Sequence, residues 1–189
     1  MSNIIQDTEN IVLNGLNIND ILTLAGKISE QEDYGKFRFR ASNRWINGAK
    51  SKTSIQGFFT GGEENTERSQ ALFVDADQPL FLAGSNTAPN PVEHFLHALT
   101  SCLTTTLIYH ASVHGFVVEA IETNAEGDMN SKGFFGISET VTKGYKRIRV
   151  SISVKSEAGV EELTELAMHS PVYEMVSKAV PVELTLLTF

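Results

Sequence analysis

The stretch NPVEHFLHALTSCLTTTLIYHASVHG, residues 90–115, carries the only cysteine of the chain, Cys102, and four of its five histidines. Pro91 suits the first turn of a helix and Gly115 the position just past its end, so the spacing predicts one helix of about six turns over 91–114. At 100° per residue, Phe95, Leu96, Leu99, Cys102, Leu103, Thr106, Leu107, His110 and Val113 share one broad face. His94, His97, Ser101, Thr104, Thr105 and Ser112 take the other. The threonine run lowers helix propensity and locally reads as strand, but the longer period favours the helix. An apolar arc this wide needs neighbours on more than one side, and a second subunit is one way to supply them.

Upstream, Ile18, Ile21, Leu22, Ala25 and Ile28 recur at helical spacing behind the capping-type residues Asn17 and Asn19, predicting an amphipathic helix over 18–30. KFRFRA then alternates, with Phe37, Phe39 and Ala41 on one side, as a half-buried strand does. A second strand is expected near TSIQGFF, an exposed hairpin connection at TGGEENTERSQ, a further strand at ALFVDA and a loop at QPLFLAGSNTAPNP. Downstream, FVVEAIETNAEGD and GYKRIRVSISVK read as strands, the second with Ile148, Val150, Ile152 and Val154 facing one way. MNSKGFFGISETVTK between them is a loop or excursion. VEELTELAM and PVYEMVSKA are helical by spacing, and PVELTLLTF closes as a strand. Early strands, a long central helix, then two strands, two helices and a last strand argue an α+β fold with a largely antiparallel sheet.

At 189 residues the chain fits one domain with a small appendage, and a chain of that size buries roughly 70% of its unfolded surface. The 41% apolar and 20% charged content is that of a globular protein. A formal net charge of −8 argues against nucleic acid as a partner, since that affinity rests on clustered cations. A lone cysteine makes no intramolecular disulfide, the start MSNIIQDTEN lacks a basic region followed by an apolar run, and no stretch reaches the length of a membrane span. The expectation is therefore a cytoplasmic protein without a membrane partner.

A cysteine works as a nucleophile or redox centre in its thiolate form, which needs a helix N-terminus, a cation or a metal beside it. Cys102 lies about three turns into its helix, beyond the reach of the terminal dipole. Its helical neighbours Ala98, Leu99, Thr105, Thr106 and Tyr109 carry no positive charge, so an arginine from elsewhere is required, Arg68 or Arg44. Position alone favours packing, because free cysteine is among the most buried residue types. HASVH lacks the glutamate of an HExxH zinc site, and His94 and His97 lie on another face, so no metal is expected. Glu93 and His97 are spaced for a helix-surface contact. His169 and Ser170 precede Pro171 as a helix entry, and His169 is also a base that could serve a nucleophilic Cys102.

The words NPVEHFLHALTSCLTTTLIYHASVHG, EGDMNSKGFFGI, GYKRIRVSISVK and SPVYEMVS, with NRW and GFFTGGEENTERS upstream, resemble the OsmC/Ohr superfamily of osmotically inducible and organic-hydroperoxide-resistance proteins. The resemblance runs over residues 35–189 and leaves 1–34, with its amphipathic helix, as an N-terminal extension. It implies an intertwined homodimer with mostly antiparallel sheets around a long central helix, each site drawing on both chains. It also implies that Cys102 holds the peroxidatic position, attacking a hydroperoxide to become a sulfenic acid, and it calls for no cofactor. Two departures are plain. Ser170 stands where the resolving cysteine would be, and Val92 where the family's glutamate would be, with Glu93 one place later. The resemblance thus implies either a single-cysteine peroxidase served by an external thiol or a non-catalytic dimer holding a small apolar or acyl ligand.

Overall fold

Asn17 starts the first helix by accepting hydrogen bonds on Oδ1 from the Asn19 and Asp20 amides, the N-cap arrangement its residue type favours. The computed structural model describes residues 11–189, so the first ten residues of the expected N-terminal extension lie outside it. In chain order the elements are β1 (Val12–Leu13), β2 (Leu16–Asn17), α1 (Ile18–Glu30), β3 (Ser42–Asn47), β4 (Lys50–Ile55), β5 (Phe58–Thr60), β6 (Glu63–Asn65), β7 (Leu72–Ala76), α2 (Pro91–Val113), β8 (Val118–Asp128), α3 (Ser131–Phe134), β9 (Arg147–Ser156), α4 (Val160–Ala167), α5 (Pro171–Ser177) and β10 (Val182–Thr188). The fold is α+β, as the pattern of elements predicts. Two compact units divide it, one formed by the segment ending at Leu22 with Leu96–Phe189, the other by Thr23–Phe95.

In the first unit the strands are ordered β10-β9-β8. β8 and β9 pair antiparallel, but β9 and β10 pair parallel, Ile148 opposite Val182 through Val154 opposite Thr188. A parallel pair needs a crossover, and α4 and α5 supply it. The alternation of β9 puts Ile148, Val150, Ile152 and Val154 into the core. Against them α2 lays Leu99, Leu103, Leu107 and Ala111, one residue per turn, all fully buried. Each buried leucine contributes about 1.5–3 kcal/mol relative to exposure. On the other sheet face charges pair across strands, Arg149 reaching Glu126 and both oxygens of Asp128. The guanidinium bonds, with Arg147 adding its own, hold the Asp128 carboxyl at about 2 against the pull of burial.

The buried stripe of α2 is narrower than the helical wheel predicts. Val113 is 39% exposed, while Ala111 and Ser112 are buried. Ser112 is covered by the β1–β2 hairpin, which the apolar periodicity does not reveal. Asn14 and Gly15 turn it with φ of 51° and 80°, the left-handed values an Asn-Gly turn requires. The Asn14 amide donates to Ser112 Oγ and to the Phe116 carbonyl, both at 2.9 Å, and its oxygen accepts from the Val118 amide at 2.9 Å. The hairpin is thereby fastened to the end of α2 and the start of β8. Ala98, Cys102, Thr105, Tyr109 and Val113 remain on the uncovered side of α2, none of them fully buried.

In the second unit β3, β4 and β7 form an antiparallel sheet and β5 and β6 a hairpin. The strand expected at KFRFRA is not formed. Only Arg38 bridges to Phe59, and the strand begins at Ser42, because alternation alone does not make a ladder without a partner along its length. Phe37 and Phe39 instead stack on one another, and Phe39 meets Phe58 at a tilt. The three-stranded sheet leaves large apolar side chains open, Trp45 at 69% and Phe73 at 63%.

Candidate active site around the central helix cysteine

The chain enters α2 through a loop pinned by one buried carboxylate. Asp77, with 1% of its surface exposed, accepts from the Gln78 and Ser85 amides on Oδ1 and from the Thr87 amide and hydroxyl on Oδ2. Burial alone would raise its pKa, but those donors outweigh it and hold the carboxyl well below the ordinary range. Gly84 lies so close inside this knot that a Cβ would sit 1.9 Å from the Gln78 carbonyl oxygen. Sequence reasoning missed both residues, since QPLFLAGSNTAPNP reads only as a loop.

At the start of α2, Asn90 Oδ1 accepts from the Val92 and Glu93 amides, and Glu93 Oε2 accepts from the Asn90 amide at 2.7 Å. This is a reciprocal capping box, which Asn-x-x-Glu signals. Glu93 is turned back onto its own helix start, and the spacing that suggests a Glu93–His97 contact is not used for one. His94 Nε2 lies 2.9 Å from the Asp75 carbonyl oxygen, to which it donates.

Cys102 sits half-buried on the uncovered side of α2. Among the described residues no group hydrogen-bonds its sulfur. His169 stacks on His110 with ring centroids 4.5 Å apart and planes at 14°. His110 is eight residues beyond Cys102, an axial rise of about 12 Å. The His169 ring thus packs on a residue two turns along α2 from Cys102. Burial, then the His169 and His114 rings, push the His110 pKa down. Ser170 is fully buried and caps α5, its Oγ accepting from the Tyr173 amide at 3.2 Å. Ser170 thus has a structural task of its own.

The two arginines proposed for the thiolate both lie in the Thr23–Phe95 unit. Arg68 places its guanidinium over the Phe58 ring at 5.2 Å and donates to the Gln56 carbonyl, while the Gln56 amide donates back to the Arg68 carbonyl. Arg44 is exposed on β3, directly opposite Lys52 of β4.

The model of the family described as OsmC-like protein matches residues 84–185, more than half of the chain, from the Asp77 loop into the last strand. The chain belongs to the OsmC-like family. Solved structures of the same fold agree. An OsmC-like protein from Mycoplasma pneumoniae superposes with a TM-score of 0.61 at 10% identity, covering 80% of this chain and 96% of that one. An organic hydroperoxide resistance protein from Elizabethkingia anophelis gives 0.57 at 14% identity, covering 80% and 96%. An organic hydroperoxide resistance protein OsmC from Legionella pneumophila gives 0.54 at 18%, covering 79% and 96%. At these identities the likeness is one of fold. No curated protein sequence matches this OsmC-like chain. Among its described residues no helix is long and apolar enough to cross a membrane.

Proposed function

We propose that this protein is a thiol-dependent peroxidase acting on organic hydroperoxides through Cys102, as a cytoplasmic homodimer. The observation that carries the reading is the place of Cys102 on the family's central helix, half-buried on an uncovered face rather than sunk in the core stripe. In the proposed step the thiolate attacks the terminal peroxide oxygen and the O–O bond breaks. The alkoxide leaves as the alcohol after taking a proton, and sulfur retains the hydroxyl as sulfenic acid. With Ser170 at the resolving position, an external thiol condenses with the sulfenic acid, releasing water. A second thiol attacks the mixed disulfide and returns Cys102 as thiol. Arg68 and Arg44 remain the arginines proposed to favour the thiolate.

The dimer is supported by what one chain leaves uncovered. The side of α2 bearing Ala98, Cys102, Thr105, Tyr109 and Val113 is open, and one face of the β3-β4-β7 sheet exposes Trp45, Leu72 and Val74. Clustered exposed apolar groups of this size mark an interaction surface. Sedimentation equilibrium checks the mass, and a monomer at micromolar concentration would remove the dimer from the reading.

The test of the chemistry is cumene hydroperoxide consumption with dithiothreitol by wild type and Cys102→Ser, together with trapping of the sulfenic acid by dimedone. Turnover that survives in Cys102→Ser refutes the mechanism. A second reading, a non-catalytic dimer holding a small apolar or acyl ligand, is favoured by one specific observation: Glu93 and Ser170 are both occupied in helix caps. Lipid retained in native mass spectra, with a thiol inert to peroxide, would select it.

A further inference from the structure

Among the described residues, seven of the fifteen lysines and arginines pair with carboxylates. Arg40 pairs with Glu64, Arg147 with Asp128 and Glu183, Arg149 with Glu126 and Asp128, and Lys155 with Glu119. The β3-β4-β7 sheet sets cation against cation. Its ladder sets Arg44 directly opposite Lys52, and Lys52 opposite Asp75. Like charges facing one another across strands destabilise a sheet. Asp75 relieves part of this, lying 3.3 Å from Lys52. Among the described residues Arg44 and the neighbouring Lys50 take part in no ion pair. These three cations and Asp75 line a concavity of about 370 Å³, with Ile46 and Ala88 also in its wall. That volume falls in the range of about 300–1,000 Å³ of small-molecule sites.

We propose that this concavity binds a small dianion, a dicarboxylate or a phosphate monoester. The charge argument sets the class. One of three positive charges is answered by Asp75, leaving two in excess on a chain whose net charge is −8. The planar fork of Arg44 matches a two-oxygen acceptor, while Lys50 supplies a compact point charge that either acid can use. A bound dianion turns the Arg44–Lys52 opposition from a cost into a shared attraction.

The experiment titrates succinate and inorganic phosphate separately into the full chain at low ionic strength. It follows heat by calorimetry and the amide resonances of Ser51, Thr87 and Ala88 by NMR. Saturable binding is expected, with acetate weaker by about tenfold or more and Arg44→Gln or Lys50→Gln each weakening the dianion about fivefold or more. Added salt should weaken it further. Tighter succinate assigns a dicarboxylate site, and tighter phosphate a phosphate site. Absence of saturable binding for both anions overturns the proposal. So does binding that Lys50→Gln and a normally melting Arg44→Gln leave unchanged.

Discussion

Replacing Asn14 by alanine asks whether the N-terminal hairpin is part of the domain or an appendage to it. The side chain makes three hydrogen bonds at 2.9 Å, two of them to main-chain groups of Phe116 and Val118. Losing these two partly buried partners costs about 1 kcal/mol each. Alanine must also hold the φ of 51° found at this position, which costs an L-residue other than Asn or Gly about 1–2 kcal/mol. The sum is about 3–4 kcal/mol, and at about 2–4 °C per kcal/mol for a chain of this size the melting temperature should fall by roughly 6–16 °C. Asn14→Gly removes the bonds but not the permitted φ, so its loss should be about 1–2 kcal/mol smaller. Calorimetric melts of the three proteins decide it. Asn14→Ala melting within about 2 °C of wild type would show that the hairpin is not coupled to α2, and Asn14→Gly melting no higher than Asn14→Ala would remove the backbone part of the reasoning.

Leu103→Ala, fully buried between α2 and the sheet, should lower stability by about 2–5 kcal/mol, read as a lower urea midpoint at unchanged slope. Gly84→Ala would bring a methyl within 1.9 Å of the Gln78 carbonyl, so the Asp77 loop must open; faster amide exchange at Ser85 and Thr87 measures it. His110 has a folded pKa below its ordinary 6.5, so the folded state binds fewer protons than the unfolded chain as pH falls through 6.5. Its neutral form is fully compatible with folding above that pH, and stability should decline below it. His110→Gln should flatten that limb of the stability–pH curve, and an unchanged limb would assign it to other groups.

The legible part of the site was local. Ser170 before Pro171 reads as a helix entry and is the N-cap of α5. Asn90 and Glu93 have capping-box spacing, and the Asn14-Gly15 turn sits between Leu13 and Leu16 as a hairpin signal, though neither stands out beside the stronger helical periods. Asp77 gave no signal at all, because its four donors come from Gln78, Ser85 and Thr87, and only the closed loop brings them to one carboxylate.

By itself the sequence determined α1, α2, β9 and the two helices before β10, together with the α+β class, since each of these rests on a period or cap written within a dozen or so residues. Tertiary structure decided the parallel pairing of β9 with β10, the failure of KFRFRA to become a strand, the burial of Ser112 and the stacking of His169 on His110. Each of these depends on which distant segment arrives as a neighbour. Pairing, burial and ring contact are properties of two partners, whereas periodicity records only one.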